Sequence, residues 1–333
     1  MIVFDGKKIL ITGGTGSLGF ALTNRLLKYN VKSIRIFSRN ESKQVTMESS
    51  LNDIRLRFLI GDIRDLPRLI TALEDVDIVF HAAALKHVPL IEYNPFEAIK
   101  TNVIGTQNLI EACIKQNVEI AVGVGTDKAV SPINAYGATK LLMEKLFVTA
   151  NNYLNPSRHK TKFIALRYGN VLGSSGSVVP KFIEQARLKQ KITITEPNMT
   201  RFSITMEEAL DFILDSTCLG KGSEIFVPKL KAYSIMDVKS AVEELLGDNG
   251  HETVGIRSGE KIHETLINSD EMRYTWELGN KYLIFNPLKE IAEIEKEYPG
   301  IKRVNNLESY SSNKADLIPI IELNEKISKL ISH

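Results

Sequence analysis

Lys8-Ile9-Leu10-Ile11-Thr12-Gly13-Gly14-Thr15-Gly16-Ser17-Leu18-Gly19 governs the reading of the residues on either side of it. Five residues of strand character lead into Gly13, Gly16 and Gly19, and an amphipathic helix is expected over residues 20–29. The first interval differs from the commoner Gly-x-Gly-x-x-Gly, but the physical demand is the same. The backbone must turn tightly, approach a pyrophosphate closely, and aim the N–H groups of a helix N-terminus at that anion. Gly13, Thr15, Gly16, Ser17, Leu18 and Gly19 therefore read as a dinucleotide-binding turn; a plain strand-to-helix connection is the alternative.

Further strands are expected at residues 33–37, 56–60, 76–80, 119–125 and 162–167, each separated from the next by a helical stretch. Connections of that length exclude hairpins and predict an α/β fold, a doubly wound parallel Rossmann sheet joined to a smaller mixed α/β substrate-binding region. In such a sheet ligands bind at the carboxyl ends of the strands. The second strand ends in Ser38-Arg39-Asn40 where NAD-binding chains carry a carboxylate for the ribose, and Lys43 follows four residues after Arg39. That pattern welcomes a 2′-phosphate and points to NADP; in the alternative, Arg39 is a surface cation and Glu41 holds the ribose. The third strand reaches Asp62 and Ile63, where Asp62 either accepts from an adenine amino group or caps the next helix. Ala82, Ala83, Ala84 and Lys86 follow the fourth strand, and residues this small let a nicotinamide ribose pass close to the backbone. His81 and His87 lack the companions of a metal site and read as structural, so no metal is expected. Asn94-Pro95 opens a helix expected to run to about residue 116.

The chain has 333 residues, 43% hydrophobic and 25% charged, with a formal net charge of +2. A balance this close excludes an electrostatic footprint for nucleic acid or an anionic membrane. Cys113 and Cys218 lie far apart with no metal-type spacing, as expected of structural thiols in a reducing compartment. No segment reaches the roughly 18 apolar residues of a membrane span, and no signal-peptide pattern precedes the first strand. A cytoplasmic location is the expectation.

The fifth strand delivers Thr126, Asp127 and Lys128 to its carboxyl end, and Tyr136 and Lys140 stand four apart in a helical stretch that follows. On a helix they share one face. An ammonium beside a phenol favours the phenolate, which makes tyrosine a usable base. Tyr-x-x-x-Lys alone is common, and both residues on a solvated helix face is the plainer alternative.

Residues 81–89, Asn94-Pro95, Thr126-Asp127-Lys128-Ala129, residues 132–140, Arg167-Tyr168-Gly169-Asn170-Val171, Gly176-Ser177-Val178-Val179-Pro180, Met199-Thr200-Arg201-Phe202, Ile225-Phe226-Val227-Pro228 and residues 255–264 carry a resemblance. Together they resemble the extended short-chain dehydrogenase/reductase family and, within it, the inverting UDP-N-acetylglucosamine 4,6-dehydratases of pseudaminic acid and capsule biosynthesis. The resemblance covers residues 6 to about 265 and fades afterwards. It implies Thr126, Tyr136 and Lys140 as the oxidising triad, Asp127 as general acid and Lys128 as base at C5; the retaining class has a glutamate after the aspartate. Lys86, Asn170, Val178, Arg201, Arg257 and Glu260 are the residues it offers to the UDP-sugar. It also implies a homo-oligomer, with the helices near residues 94–116 and 136–153 at the interface. One departure is Gly125, where the family usually has serine.

The implied domains are residues 1–171 for NADP, with a return at 201–228, and residues 172–200 and 229–333 for the nucleotide sugar. The implied reaction is redox-neutral: oxidation at C4, elimination of water across C5–C6, and hydride return to C6 with inversion at C5. Lys128 serves as base only as the neutral amine, which requires burial or nearby cations to lower its pKa. Two enzymatic alternatives are arrest at the C5–C6 ene and a C4 reductase or epimerase. A non-catalytic NADP-binding regulator is the alternative of another class.

Overall fold

The strand expected at residues 8–12 is β1 (Lys8–Thr12), and it lies third from one edge of a ten-stranded sheet. The computed structural model describes residues 3–155, 157–174, 177–257 and 259–331; Gly176 and Ser258 of the motifs above lie outside the described residues. β2 (Ser33–Ser38), β3 (Leu56–Ile60), β4 (Ile78–His81), β5 (Ile120–Val124) and β6 (Lys162–Leu166) complete a parallel set in the order 3-2-1-4-5-6. Side chains alternate between its two faces. Ile9, Ile11, Ile34, Ile36, Ile78 and Phe80 enter one core with Leu22 and Leu26. Leu10, Phe37, Val79 and Ala121 enter the other with Leu69, Leu109 and Phe147. Burial on both faces is why these strands read as nearly continuous apolar runs.

After β6 the chain moves back and forth between two places. β7 (Ile192–Ile194) and β8 (Thr200–Phe202) belong to the smaller region, and β9 (Glu224–Pro228) returns to the sheet parallel to β6. β10 (Ala232–Ser234) pairs with β8, and β11 (His251–Thr253) pairs with β7. β12 (Thr265–Ile267) follows. Then β13 (Thr275–Leu278), β14 (Lys281–Phe285) and β15 (Lys302–Arg303) extend the sheet antiparallel beyond β9, and β16 (Tyr310–Ser311) pairs with β12.

Residues 275–303 thus differ from the expectation that they belong to the sugar-binding region. A two-residue turn at Gly279, with φ +58°, folds β13 onto β14. The side chains of β14 then serve both cores of the sheet, Leu283 and Phe285 on one face and Tyr282 and Ile284 on the other. Of residues 201–228 only the last five join the sheet. A third core ties the smaller region together: Val179 and Phe182 from helix Val178–Arg187, Val238 and Val242 from helix Ile235–Leu246, and Leu323 and Ile327 from helix Ile320–Ile331.

Two helices differ from expectation in ways that matter for the site. The first runs Ser17–Leu26, so its opening turn is the end of the glycine motif itself. The helix expected over 94–116 begins at Pro95, passes through a π-helical stretch at Ile99–Ile104, and ends at Lys115.

Candidate active site

A cavity of about 550 Å³ opens at the carboxyl ends of the strands, with β1 and β4 at its floor, where the strand order reverses. Gly13, Thr15, Gly16, Ser17, Leu18 and Gly19 line it, as do Ser38, Arg39, Lys43, Asp62, Ile63, Ala82, Ala83, Ala84, Lys86, Tyr136 and Lys140. Every residue read from the sequence as cofactor-binding therefore borders one space. Gly13 has φ +67°, and a Cβ there would stand 2.8 Å from the Ala83 backbone. Helix Ser17–Leu26 has Gly16 at its cap, with no side-chain cap and no acid in the first turn, so its N–H groups face the cavity free of competition. These features fit a dinucleotide pyrophosphate.

At the ribose end, Asn40 caps helix Glu41–Leu51 by accepting from Lys43 N at 2.8 Å. Arg39 is left more than half exposed on the cavity rim, with Nη1 3.8 Å from Asp62 Oδ2. Asp62 is not a helix cap; Asp65 performs that task by accepting from Arg68 N at 3.0 Å, while Asp62 accepts from Arg64. Glu41 is exposed and absent from the cavity wall. His81 is buried, with Nδ1 2.8 Å from Thr12 Oγ1 and Nε2 3.0 Å from Thr106 Oγ1, and burial brings its pKa down to about 3. It serves as a neutral strut under the alanine loop.

The chemistry-bearing residues converge at the far end. β5 ends at Val124, and a single 3-10 turn, Asp127–Ala129, follows it with Asp127 buried and Lys128 partly so. Asp127 Oδ1 accepts from Thr126 Oγ1 at 2.8 Å and from Lys128 Nζ at 3.1 Å. Lys128 Nζ also donates to Asn170 Oδ1 at 3.1 Å and stands 3.6 Å from Glu264 Oε1. Helix Ala135–Ala150, capped by Asn134 on Gly137 N at 2.8 Å, brings Tyr136 and Lys140 to the same cavity.

Two electrostatic expectations change. Lys140 sends Nζ to the Val124 carbonyl at 2.7 Å, and burial brings its pKa down to about 8. The Tyr136 phenol is pushed up to about 12 by burial, and the cation that opposes this is Lys128. The condition set for Lys128 as a neutral base, a lowered pKa, is not met in the free protein. Burial does oppose its charge, but Asp127 and Glu264 on either side hold its ammonium above the ordinary lysine range.

Gly125 finds its explanation behind the catalytic turn. A Cβ there would lie 2.4 Å from Glu144 Oε1 and 2.5 Å from the Leu166 carbonyl. Glu144 is fixed by Arg167, whose guanidinium donates to it at 2.7 Å and to Glu271 Oε1 at 2.8 Å, with both Glu144 and Arg167 fully buried. This ion triad ties the helix of Tyr136 to β6 and to the turn after β12, and it leaves no room for a serine.

A smaller cavity of about 160 Å³ adjoins the first through Asn170, which lines both. Val178, Arg201, Arg257 and Glu260 line it as well; Lys86 borders the larger cavity only. Arg201 donates to the carbonyls of Thr200, Ile262 and Lys261. The sequence reading passed over several wall residues. Ser177 and Tyr233 line the smaller cavity, and Ser177 Oγ is buried without a hydrogen-bond partner among the described residues. Asn102, in the π-helical stretch, accepts from Leu85 N at 2.8 Å and donates to Leu85 O at 3.0 Å and Thr139 Oγ1 at 3.0 Å, holding the alanine loop against the Tyr136 helix. The asparagine followed by Pro95 hinted at a helix start, but nothing local signals a π turn.

The family model described as "Polysaccharide biosynthesis protein" matches residues 9–286. The UDP-N-acetylglucosamine 4,6-dehydratase (inverting) of Campylobacter jejuni serotype O:2 is 43% identical over 341 residues, 99% of each chain. The UDP-glucose 4-epimerase of Rickettsia prowazekii is 40% identical over 333 residues, 98% of this chain and 97% of its own. Among solved structures, the X-ray structure of Pen from Bacillus thuringiensis superposes with a TM-score of 0.89 at 37% identity, covering 99% of both chains.

Proposed function

The chain belongs to the polysaccharide biosynthesis protein family, among the extended short-chain dehydrogenases/reductases, and from that premise we propose that it dehydrates UDP-N-acetylglucosamine to a UDP-4-keto-6-deoxy sugar with inversion at C5. The observation that carries the reading is the Asp127–Lys128 pair on one 3-10 turn; neither side chain lines a cavity wall, but the pair follows Thr126 of the large cavity and Lys128 is bonded to Asn170, which lines both cavities. Oxidation alone has no use for an acid and an amine side by side; elimination needs both.

The larger cavity is the cofactor site in this reading. NADP is favoured by Arg39 on the rim and by a strand end that offers Ser38, Arg39 and Asn40 in place of a carboxylate. A cofactor held there would supply the hydride acceptor for C4 and the hydride donor for C6. Tyr136 takes the C4 hydroxyl proton once it is ionised; burial holds it as a phenol in the free protein and the Lys128 cation opposes that, with Thr126 in reach of its oxygen and Lys140 fixed one turn along the helix. Lys128 and Asp127 begin as ammonium and carboxylate. Moving one proton across their 3.1 Å hydrogen bond turns them into the amine that removes the C5 proton and the acid that releases the C6 hydroxyl as water. Asn170 keeps Lys128 aimed along the boundary of the two cavities, and Arg201, Arg257 and Glu260 supply the polar wall for the nucleotide sugar.

A homo-oligomer belongs to the same reading. Phe96, Ile99, Ile104 and Leu142 are exposed apolar residues on the helices that the family places at its interface.

The 40% identical relatives named as UDP-glucose 4-epimerases favour a second reading, epimerisation at C4. One experiment separates the two. Purified protein is incubated with NADP and UDP-N-acetylglucosamine in heavy water without added reductant. Dehydration gives a product lighter by one water with deuterium at C5, seen by mass and proton NMR spectra. A product of unchanged mass with C5 unlabelled would establish the epimerase instead.

A further inference from the structure

Glu264 is the one carboxylate near the Asp127–Lys128 turn to which the reaction above gives no task. It lies just ahead of β12, and its main chain is pinned on both sides by one residue: Glu264 N donates to Ser312 Oγ at 3.0 Å and Ser312 N donates to Glu264 O at 2.8 Å. Its side chain is 4% exposed. Oε1 stands 3.6 Å from Lys128 Nζ and 3.8 Å from Arg201 Nε, and Oε2 has no hydrogen-bond partner among the described residues. Burial, with the Asp127 charge beside it, raises the pKa of this carboxyl, so it stands as a carboxylate only through the cations that face it. Three face it: the amine the elimination requires, the guanidinium of Arg201 in the smaller cavity, and Lys261.

We propose that Glu264 is a positioning residue for the elimination step, a buried carboxylate that holds Lys128 in place as an ammonium and so sets how much of it is available as the amine. The proposal rests on the function given above. It follows from the count of charges around Nζ. Asp127 on its own turn and Glu264 from the segment before β12 are the anions; Tyr136 from the following helix and Tyr233 from β10 are neutral as phenols; Asn170 is an uncharged acceptor. Arg201 from β8 and Lys261 face Glu264 from its far side, and Lys261 Nζ is itself tied to the Val130 carbonyl at 2.6 Å. One of the two anions, Asp127, must become an acid for water to leave. Glu264 then remains as the countercharge that keeps Lys128 in register with C5 and opposes its deprotonation.

The sign of the test follows. Glu264→Gln keeps the shape and removes the charge, so a larger fraction of Lys128 is amine at a given pH. Competitive acetylation of the purified protein at pH 8, read by peptide mass spectrometry, reports that fraction without any substrate. Lys128 in Glu264→Gln is expected to label several-fold faster than in the wild type, while surface lysines are unchanged; Glu264→Asp, which keeps the charge, is expected to stay near the wild type. The second arm takes the ketone product made by the wild type and follows solvent deuterium entry at C5 in fresh enzyme, which bypasses the oxidation step. Exchange is expected to be faster in Glu264→Gln at neutral pH, with its pH profile moved to lower pH by about one unit. A structural role predicts only slower exchange with an unmoved profile. Equal Lys128 labelling in the wild type and Glu264→Gln would overturn the proposal. Absence of any product from the wild type, with labelling still raised in Glu264→Gln, would overturn the function and leave the charge role of Glu264 standing.

Discussion

Asp127 and Lys128 are adjacent in the chain, yet the two steps they serve can be separated. Asp127→Asn is expected to keep C4 oxidation and substrate binding while losing water release by at least about a hundredfold, because an amide cannot supply the proton. Lys128→Met is expected to abolish C5 exchange as well. Solvent deuterium at C5 together with release of the C6 oxygen checks both; native exchange in Lys128→Met would move the base elsewhere, with Lys86 the first candidate on the cavity wall. Arg39→Ala is expected to reduce the preference for NADP over NAD, checked by calorimetry with both cofactors, and equal wild-type affinities would contradict the NADP assignment. His81 gives a pH dependence. Its pKa in the folded chain lies near 3, below the ordinary 6.5, so the unfolded chain binds the extra proton between those values and stability falls as pH drops through that window. The slope due to this group approaches about 1.4 kcal/mol per pH unit, and His81→Gln should remove it from denaturant melts taken between pH 6.5 and 5. Residue types and near-neighbour spacings made much of this site legible in the sequence. Gly13, Arg39, Tyr136 and Lys140 are read from a few positions on either side. The charge of Lys128 is not legible in the sequence because its second anion, Glu264, arrives from a distant part of the chain that no local pattern connects to it.

Elements translate those spacings into positions. The alternation of Ile9, Leu10 and Ile11 fixes which core each strand face meets, so the parallel strands could be read with errors of one or two residues. The hairpin of β13 and β14 was missed because its place on the sheet depends on β9 being free to receive it, which only the assembled fold specifies. The helix Ala135–Ala150 is held to β6 through Arg167, and this contact predicts a stability effect. Arg167→Met strands Glu144 in a fully buried site and is expected to cost about 3–5 kcal/mol, seen as a lower denaturant midpoint. Arg167→Met combined with Glu144→Leu should recover much of that loss. A change below about 1 kcal/mol in the single variant would mean that the triad contributes little to holding the helix. The same site explains why Gly125→Ser, although it restores the family's usual residue, should lower stability even where Glu144 is shortened, because the Leu166 carbonyl would still stand 2.5 Å from the new Cβ.

At the scale of the whole molecule, the apolar residues left outside make a prediction about assembly. Phe96 is 75% exposed and Leu142 is 49% exposed on helices read as an interface, so Phe96→Glu with Leu142→Glu should shift light scattering from dimer or larger species to monomer. A wild type that is already monomeric at micromolar concentration would contradict the interface. The return of β9 to the sheet has a consequence during synthesis. β6 is complete at Leu166, but the strand that covers its open edge begins at Glu224, and at ribosomal speeds of about 5–20 residues per second that gap lasts a few to about ten seconds. Through that interval the growing chain carries a bare row of backbone donors and acceptors beside Phe163 and Ile164, ready to pair with the same strand on a neighbouring nascent chain. Crowded polysomes making this protein should therefore depend on ribosome-bound chaperones, and slow codons between residues 167 and 223 should send more of the yield into inclusion bodies.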